Sequence, residues 1–245
     1  MSRKKHAEIH GSPGARVRIV GLLRTQWPLL AVFGIAGYLL RAAIPQPPIS
    51  KTLDGMLFLA LAAGLAIAAS HSRKRLQSFL KGAKGEEIVA HELSFLPDSF
   101  TIFHDLDIKL SRAEGGHSAN IDHIVVGPTG IFAIETKNWA DSVTIANGEL
   151  LYNGQKPSRP PLKQAKNSAS TLCNFIKDRI EQNIPVQPIL CFASDSLTTG
   201  EQGSVGVLIC NTEHLTNLIQ SEDEFNLTKE KQQAVINALM KVCED

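Results

Sequence analysis

No excess of either charge marks this 245-residue chain, because 25 Lys and Arg stand against 24 Asp and Glu. A protein that binds polyanions over its whole surface would be strongly basic, so any nucleic-acid surface here has to be local. Cysteine is scarce as well. Cys173, Cys191, Cys210 and Cys243 form no CxxC and no Cys/His spacing of a zinc site. They read as reduced, mostly buried thiols of a cytosolic domain. Internal repeats are absent, which excludes a solenoid. Two stretches lack charge altogether, and a third, between Glu149 and Asp178, lacks acid.

The first uncharged stretch is Thr25 to Leu40, bounded by Arg24 and Arg41. At ~1.5 Å per residue it covers most of a ~30 Å hydrocarbon core, and snorkelling arginines can close the gap. Trp27 and Tyr38 sit near its ends, where amphipathic rings prefer the headgroup layer. The second, Gly55 to Ser72, is rich in Gly and Ala, which suits close helix packing in lipid. The expected organisation is a basic cytosolic segment over 1–24, a transmembrane hairpin over 25–72 (spans of about 25–44 and 55–72), and a soluble domain over 80–245. Basic residues precede the first span and follow the second, while the connecting loop has only Arg41 and Lys51. The positive-inside rule therefore places both termini and the soluble domain in the cytosol, on an inner-membrane multi-pass protein.

Periodicity predicts a helix over KGAKGEEIVAHELSFL, with Val89, Leu93 and Leu96 on one face. TIFHDLDIKL, IDHIVV and IFAIETK read as strands, and shorter strands are expected near 142–145 and 150–152. A long amphipathic helix is predicted from Pro161 to about Ile180. Two buried strands follow, VQPILCFAS and SVGVLICN, and then helices near 212–220 and 228–242. This order makes a three-layer α/β/α domain around a mixed sheet.

The run IDHIVVGPTGIFAIETK carries most of the chemistry. If GPTG is the loop, Val126 faces Ile131 and Asp122 falls across from Glu135, so the two carboxylates can share one divalent ion. Lys137 lies two residues beyond Glu135, on the same strand face. Strand alternation puts Ile121 and Val125 on one side, with Ile124, Val126, Ile131 and Ala133 on the other. Charges at the end of so apolar a hairpin are costly unless a metal or partner charge neutralises them. A third acid, Glu86, shares the inward helix face of Val89 and Leu93. His104, His117 and His123 have no metal-ligand spacing and read as surface or core residues. Asp105 and Asp107 alternate on their strand and read as solvent-facing, with a supporting role open to either.

GAKGEE with Glu86, the ID at Ile121 and Asp122, and GIFAIETKN with Glu135, Lys137 and Asn138 resemble the nuclease-related domain, NERD, of the PD-(D/E)xK superfamily. The similarity covers about Leu80 to Ile180. It implies a restriction-endonuclease-like core that cleaves DNA phosphodiesters with Mg²⁺, and Gln164 matches a glutamine the family tends to carry on the helix after the motif. The transmembrane hairpin is not part of that pattern.

Phosphodiester hydrolysis needs a metal to acidify the attacking water and to offset charge on the phosphoryl oxygens. Asp122 and Glu135 are the expected ligands, with the Thr136 carbonyl as a third, and Glu86 is expected to hold a water. Lys137 would orient or deprotonate the nucleophile and stabilise the transition state. Oxygen-only ligation favours Mg²⁺ or Mn²⁺. Lys156, Arg159, Lys163 and Lys166 suggest a track for the nucleic-acid backbone, with Lys163 and Lys166 flanking Gln164. The alternative is a non-catalytic module that holds DNA or a protein at the membrane. The complete set of Asp122, Glu135 and Lys137 favours the enzyme. Oligomeric state, endo- or exonuclease action, and DNA or RNA preference are left open by the sequence.

Overall fold

The computed structural model describes residues 7–14, 32–39, 51–110, 118–146, 148–199, 206–222 and 225–244. The chain divides into two compact units, one of Met1–Ala15 with Gly82–Asp245 and one of Arg16–Lys81.

In the unit of 16–81, residues 32–39 are helical, and helix α1 (Lys51–Leu93) begins there and continues into the other unit. The helix predicted from KGAKGEE and the second apolar run are thus one unbroken element. Phe33, Leu39, Met56 and Leu59 are exposed, and the rings of Tyr38 and Phe58 lie 6.1 Å apart. Among the described residues no helix is long and apolar enough to cross a membrane. Residues 25–31 and 40–50, which hold the start of the first apolar run and nearly all of the connecting loop, lie outside the described residues, as does His117.

The other unit is built on a mixed six-stranded sheet. Its strands are β1 (Glu8–His10), β2 (Thr101–Lys109), β3 (Ser118–Gly127), β4 (Gly130–Lys137), β7 (Gln187–Phe192) and β9 (Leu208–Asn211), in that spatial order. β2, β3 and β4 are antiparallel neighbours, whereas β1 joins β2, β7 joins β4, and β9 joins β7 in parallel. Parallel neighbours need a crossover, and helix α2 (Pro161–Ile180) supplies it between β4 and β7. Pro161 opens α2 where its missing N–H costs nothing, and Glu181 ends it in the left-handed region at φ 55°. A smaller sheet holds β5 (Val143–Ala146) between β6 (Glu149–Tyr152) and β8 (Leu197–Thr199). Helices α3 (Thr212–Ser221) and α4 (Lys229–Glu244) complete the fold. Strands β1 and β8 were not anticipated. At three residues each they are too short to show a period.

The sheet is covered on both faces. On one, Phe103, Ile124, Val126 and Ala133 pack with Leu172 and Ile176 of α2 and Val235 and Leu239 of α4. On the other, Ile102, Val125, Phe132 and Ile134 pack with Val89 and Leu93 of α1 and Leu215 and Ile219 of α3. The hairpin closes with Gly127 paired to Gly130, and Gly127 leaves room for a ring. A Cβ there would fall 2.1 Å from Cδ1 of Phe100. Gly127→Ala should therefore cost about 1–3 kcal/mol through overpacking. Chemical denaturation of the two proteins measures it, and equal midpoints would show that Phe100 can move aside.

Candidate active site at the end of the hairpin

The register of β3 on β4 is the one the loop requires, with Val126 opposite Ile131 and His123 opposite Ile134. Beyond that pair the ladder gives way, and Asp122 uses its side chain instead, accepting the Thr136 backbone N–H at Oδ2 over 2.7 Å. Glu135 pairs in register with Leu190 and Lys137 with Phe192, and those two strand neighbours belong to the cluster that includes Ala165 of α2. Glu135 and Lys137 hence face α2, and the Lys137 ammonium donates to Glu135 Oε1 over 2.5 Å. The Ala193 N–H donates to the Lys137 carbonyl, which holds the backbone of the lysine on β7.

Glu86 reaches the same place from α1. Gly85 allows this, because a Cβ there would lie 2.6 Å from Cβ of Asn138, the residue after Lys137. Glu86, Glu135 and Thr136 are all buried, and Asp122 is partly buried. Burial raises the Glu86 carboxyl to about 7, with further upward pushes from Asp105 and Glu135, while the Gly14 backbone N–H and Lys137 oppose them. Asp122 is held well above the usual carboxylate range by burial first and then by Glu135 and Glu86. Its N–H bond from Thr136 and the charge of Lys137 pull the other way.

Asp105, expected to face solvent with a supporting role open, is half-buried and acts on Glu86 through its charge. It has φ 56°, in the left-handed region, and Asn120 Nδ2 donates to its Oδ1 over 3.0 Å. At this point both strands slip by one face. Phe103 and Leu106 share a cluster, as do Ile121 and Ile124, so Ile121 lies with Ile124 and Val126 rather than with Val125. An Asp can adopt that backbone conformation at modest cost, which is the only local hint the sequence offered. Behind the acids His104 and His123 meet at Nδ1 to Nδ1, 2.8 Å apart, both buried and edge to face. Burial lowers His104 to about 4 and holds His123 well below its ordinary value, so both are neutral core residues. Asp107 lies 3.8 Å from the Lys109 ammonium.

Of the basic residues, Lys156, Lys163 and Lys166 line one cleft of about 440 Å³ with Pro160 and Leu162, and Arg159 is exposed outside that lining. Glu149, at the start of β6, meets the Lys156 ammonium at 2.7 Å across the Tyr152–Gln155 turn, so Lys156 is partly neutralised. Gln164 is half-buried in the first turns of α2. Among the described residues no three His, Cys, Asp or Glu side chains form a group able to hold a metal. Any cation here would have to take main-chain or water ligands as well.

An α/β unit with acids and a lysine gathered at the end of a central hairpin is the class that fold and site define. Within it, residues 81–193 match the family model of the nuclease-related domain, NERD. An uncharacterized protein of Bacillus anthracis is 42% identical over 60 residues, 24% of this chain and 27% of that protein. The chain therefore spans about a quarter of the relative's length. No solved structure matches.

The raised Glu86 carboxyl gives a pH prediction. Its folded form keeps a proton up to about 7 while the unfolded form releases it near 4.5, so the contribution of Glu86 to folding stability is greatest below pH 4.5 and declines as the pH rises towards 7. Each unit corresponds to about 1.4 kcal/mol. Glu86→Gln should flatten that decline in EDTA. The check is denaturation of both proteins at pH 5 and pH 7.5, and parallel losses in the two would contradict the assignment.

Proposed function

We propose that this chain is a membrane-anchored, divalent-metal-dependent nuclease of the PD-(D/E)xK type that hydrolyses DNA phosphodiester bonds. The observation that carries the reading is the gathering of Glu86, Asp122 and Glu135 around the single ammonium of Lys137. An ordinary ion pair needs one acid per base. Three acids crowded against one lysine keep protons on Glu86 and Asp122, protons that a hard cation would displace.

The donor set is oxygen only, which fits Mg²⁺ or Mn²⁺. Asp122 and Glu135 would hold the ion, each having committed one carboxylate oxygen to the protein, and the Thr136 carbonyl and waters would complete the shell. When bound, the ion acidifies water and offsets charge on the phosphoryl oxygens. Glu86 would accept a proton from the attacking water, a role suited to a carboxyl that titrates near 7. Lys137 would stabilise charge on the phosphoryl group, held in place by Glu135 and by the β4–β7 pairing. Lys163 and Lys166, with Lys156 and the exposed Arg159, would carry the DNA backbone, and Gln164 lies between the first two. The exposed Phe33, Leu39, Met56 and Leu59 support an anchor in a lipid bilayer. The basic residues flanking both apolar runs favour an inner-membrane hairpin with both termini cytosolic.

The decisive experiment incubates the detergent-solubilised chain with supercoiled, linear and single-stranded DNA in Mg²⁺ or EDTA. Asp122→Asn should abolish Mg²⁺-dependent cleavage, while Lys137→Ala should still bind metal but cut slower by about two to four orders of magnitude. Wild-type rates in both variants would leave a DNA- or protein-binding module as the better reading. Lys163→Ala with Lys166→Ala should weaken DNA binding evenly across sequences and flatten its salt slope by up to about two units. An unchanged slope would move the backbone track elsewhere. For the anchor, reporter fusions at Ser50 and Asp245 should report opposite sides of the membrane, and agreement between them would exclude the hairpin.

A further inference from the structure

The matched domain begins at residue 81, yet a segment far upstream takes part in the same unit. Glu8–His10 extend the sheet as β1, in parallel register with Thr101–Phe103. The His10 ring stacks on Phe103 at 5.1 Å and 25°, which anchors the strand to the core residue two before Asp105. Two glycines then turn the chain over the site. Gly11, at φ 82°, presses on the backbone of His104, where a Cβ would come within 2.3 Å of the carbonyl oxygen. Gly14, at φ 67°, lies on α1 so closely that a Cβ would be 3.0 Å from both Cα and Cβ of Ala83. Ala83 is three residues before Glu86, on the adjoining turn, and the Gly14 backbone N–H donates to the Glu86 carboxylate.

We propose that residues 8–14 are a positioning element of the active site, with the Gly14 N–H fixing the carboxylate of Glu86. This rests on the nuclease reading for its catalytic consequence but not for the contact itself. Both glycines have conformations that other residues adopt only with strain, and both meet backbone where a side chain would stand. A strap needed only to cover the sheet edge would not require an N–H delivered to a buried acid. A buried carboxylate with one amide donor is restrained in rotamer and direction, as the supporting groups around metal-site ligands are.

The contact is tested by hydrogen–deuterium exchange on the full chain in detergent, without metal. The Gly14 amide should be protected in the wild type and in Glu86→Gln, which keeps an acceptor oxygen. In Glu86→Ala it should exchange at least about tenfold faster while the amides that pair β1 with β2 stay protected. Equal protection of Gly14 in all three proteins would overturn the contact. The catalytic consequence is tested with Gly14→Ala, whose Cβ, 3.0 Å from Ala83 on a backbone with φ 67°, should displace the segment from α1. The expected result is a kcat lower by on the order of tenfold to a hundredfold with KM for DNA little changed, the split of a positioning role. A wild-type kcat in Gly14→Ala would overturn the positioning role. If the wild type cleaves no DNA at all, the nuclease reading falls, and the exchange experiment still decides whether Gly14 holds Glu86.

Discussion

Mutual repulsion among three carboxylates is what the rest of the unit has to contain. The charged forms of Glu86 and Asp122 would each be more stable in water than where the chain holds them, and the one lysine nearby is already paired with Glu135. The restraint comes from pairing on two sides. Strand β4 is bonded to β3 through His123 opposite Ile134 and to β7 through Lys137 opposite Phe192, so Glu135 and Lys137 cannot swing away without breaking ladders. Fully buried rings and branched side chains, Phe132, Ile134, Phe103 and Leu172 among them, make those ladders expensive to open. The apolar core thus supplies the stability that the charged end of the hairpin removes.

The second constraint is the left-handed residue at Asp105. A regular β2 would send Asp105 to the face opposite His104 and keep Phe103 and Leu106 on opposite faces. The turn at φ 56° instead puts Phe103 and Leu106 in one cluster and sets an extra acid against Glu86. The paired neutral imidazoles of His104 and His123 fill the same slip behind it. Their desolvation keeps them uncharged, so they add no cation to a place that lacks one.

Much of this was legible in the sequence, for physical reasons that vary by element. Helix α2 begins and ends where its apolar stripe predicted, since a 20-residue amphipathic helix with proline at its start leaves little ambiguity. The hairpin register followed from one loop, GPTG, and that loop in turn brought Asp122 near Glu135. What stayed hidden depends on single residues or on distant pairing. The slip at Asp105 is one dihedral angle, and periodicity averages over it. The tie between Glu149 and Lys156 depends on the Tyr152–Gln155 turn, which sends the chain back along β6. Strand β1 has only three residues and pairs with a partner some ninety positions on, a separation at which no local pattern carries a signal.

That distant pairing also bears on the apolar segment between the two halves of the sheet. Strand β1 precedes it and β2 follows it, yet they are hydrogen-bonded neighbours in one sheet. The residues entering and leaving the stretch of 16–81 must then be on the same side of any bilayer it enters. A single crossing would separate β1 from β2 by the whole hydrocarbon layer, and a strand cannot give up its partner to a medium that offers no hydrogen bonds. An anchor drawn from this segment has to cross an even number of times or lie in the interface. The hairpin proposed from the bases flanking two apolar runs meets that condition, which the β1–β2 pairing sets for any anchor whatever its form.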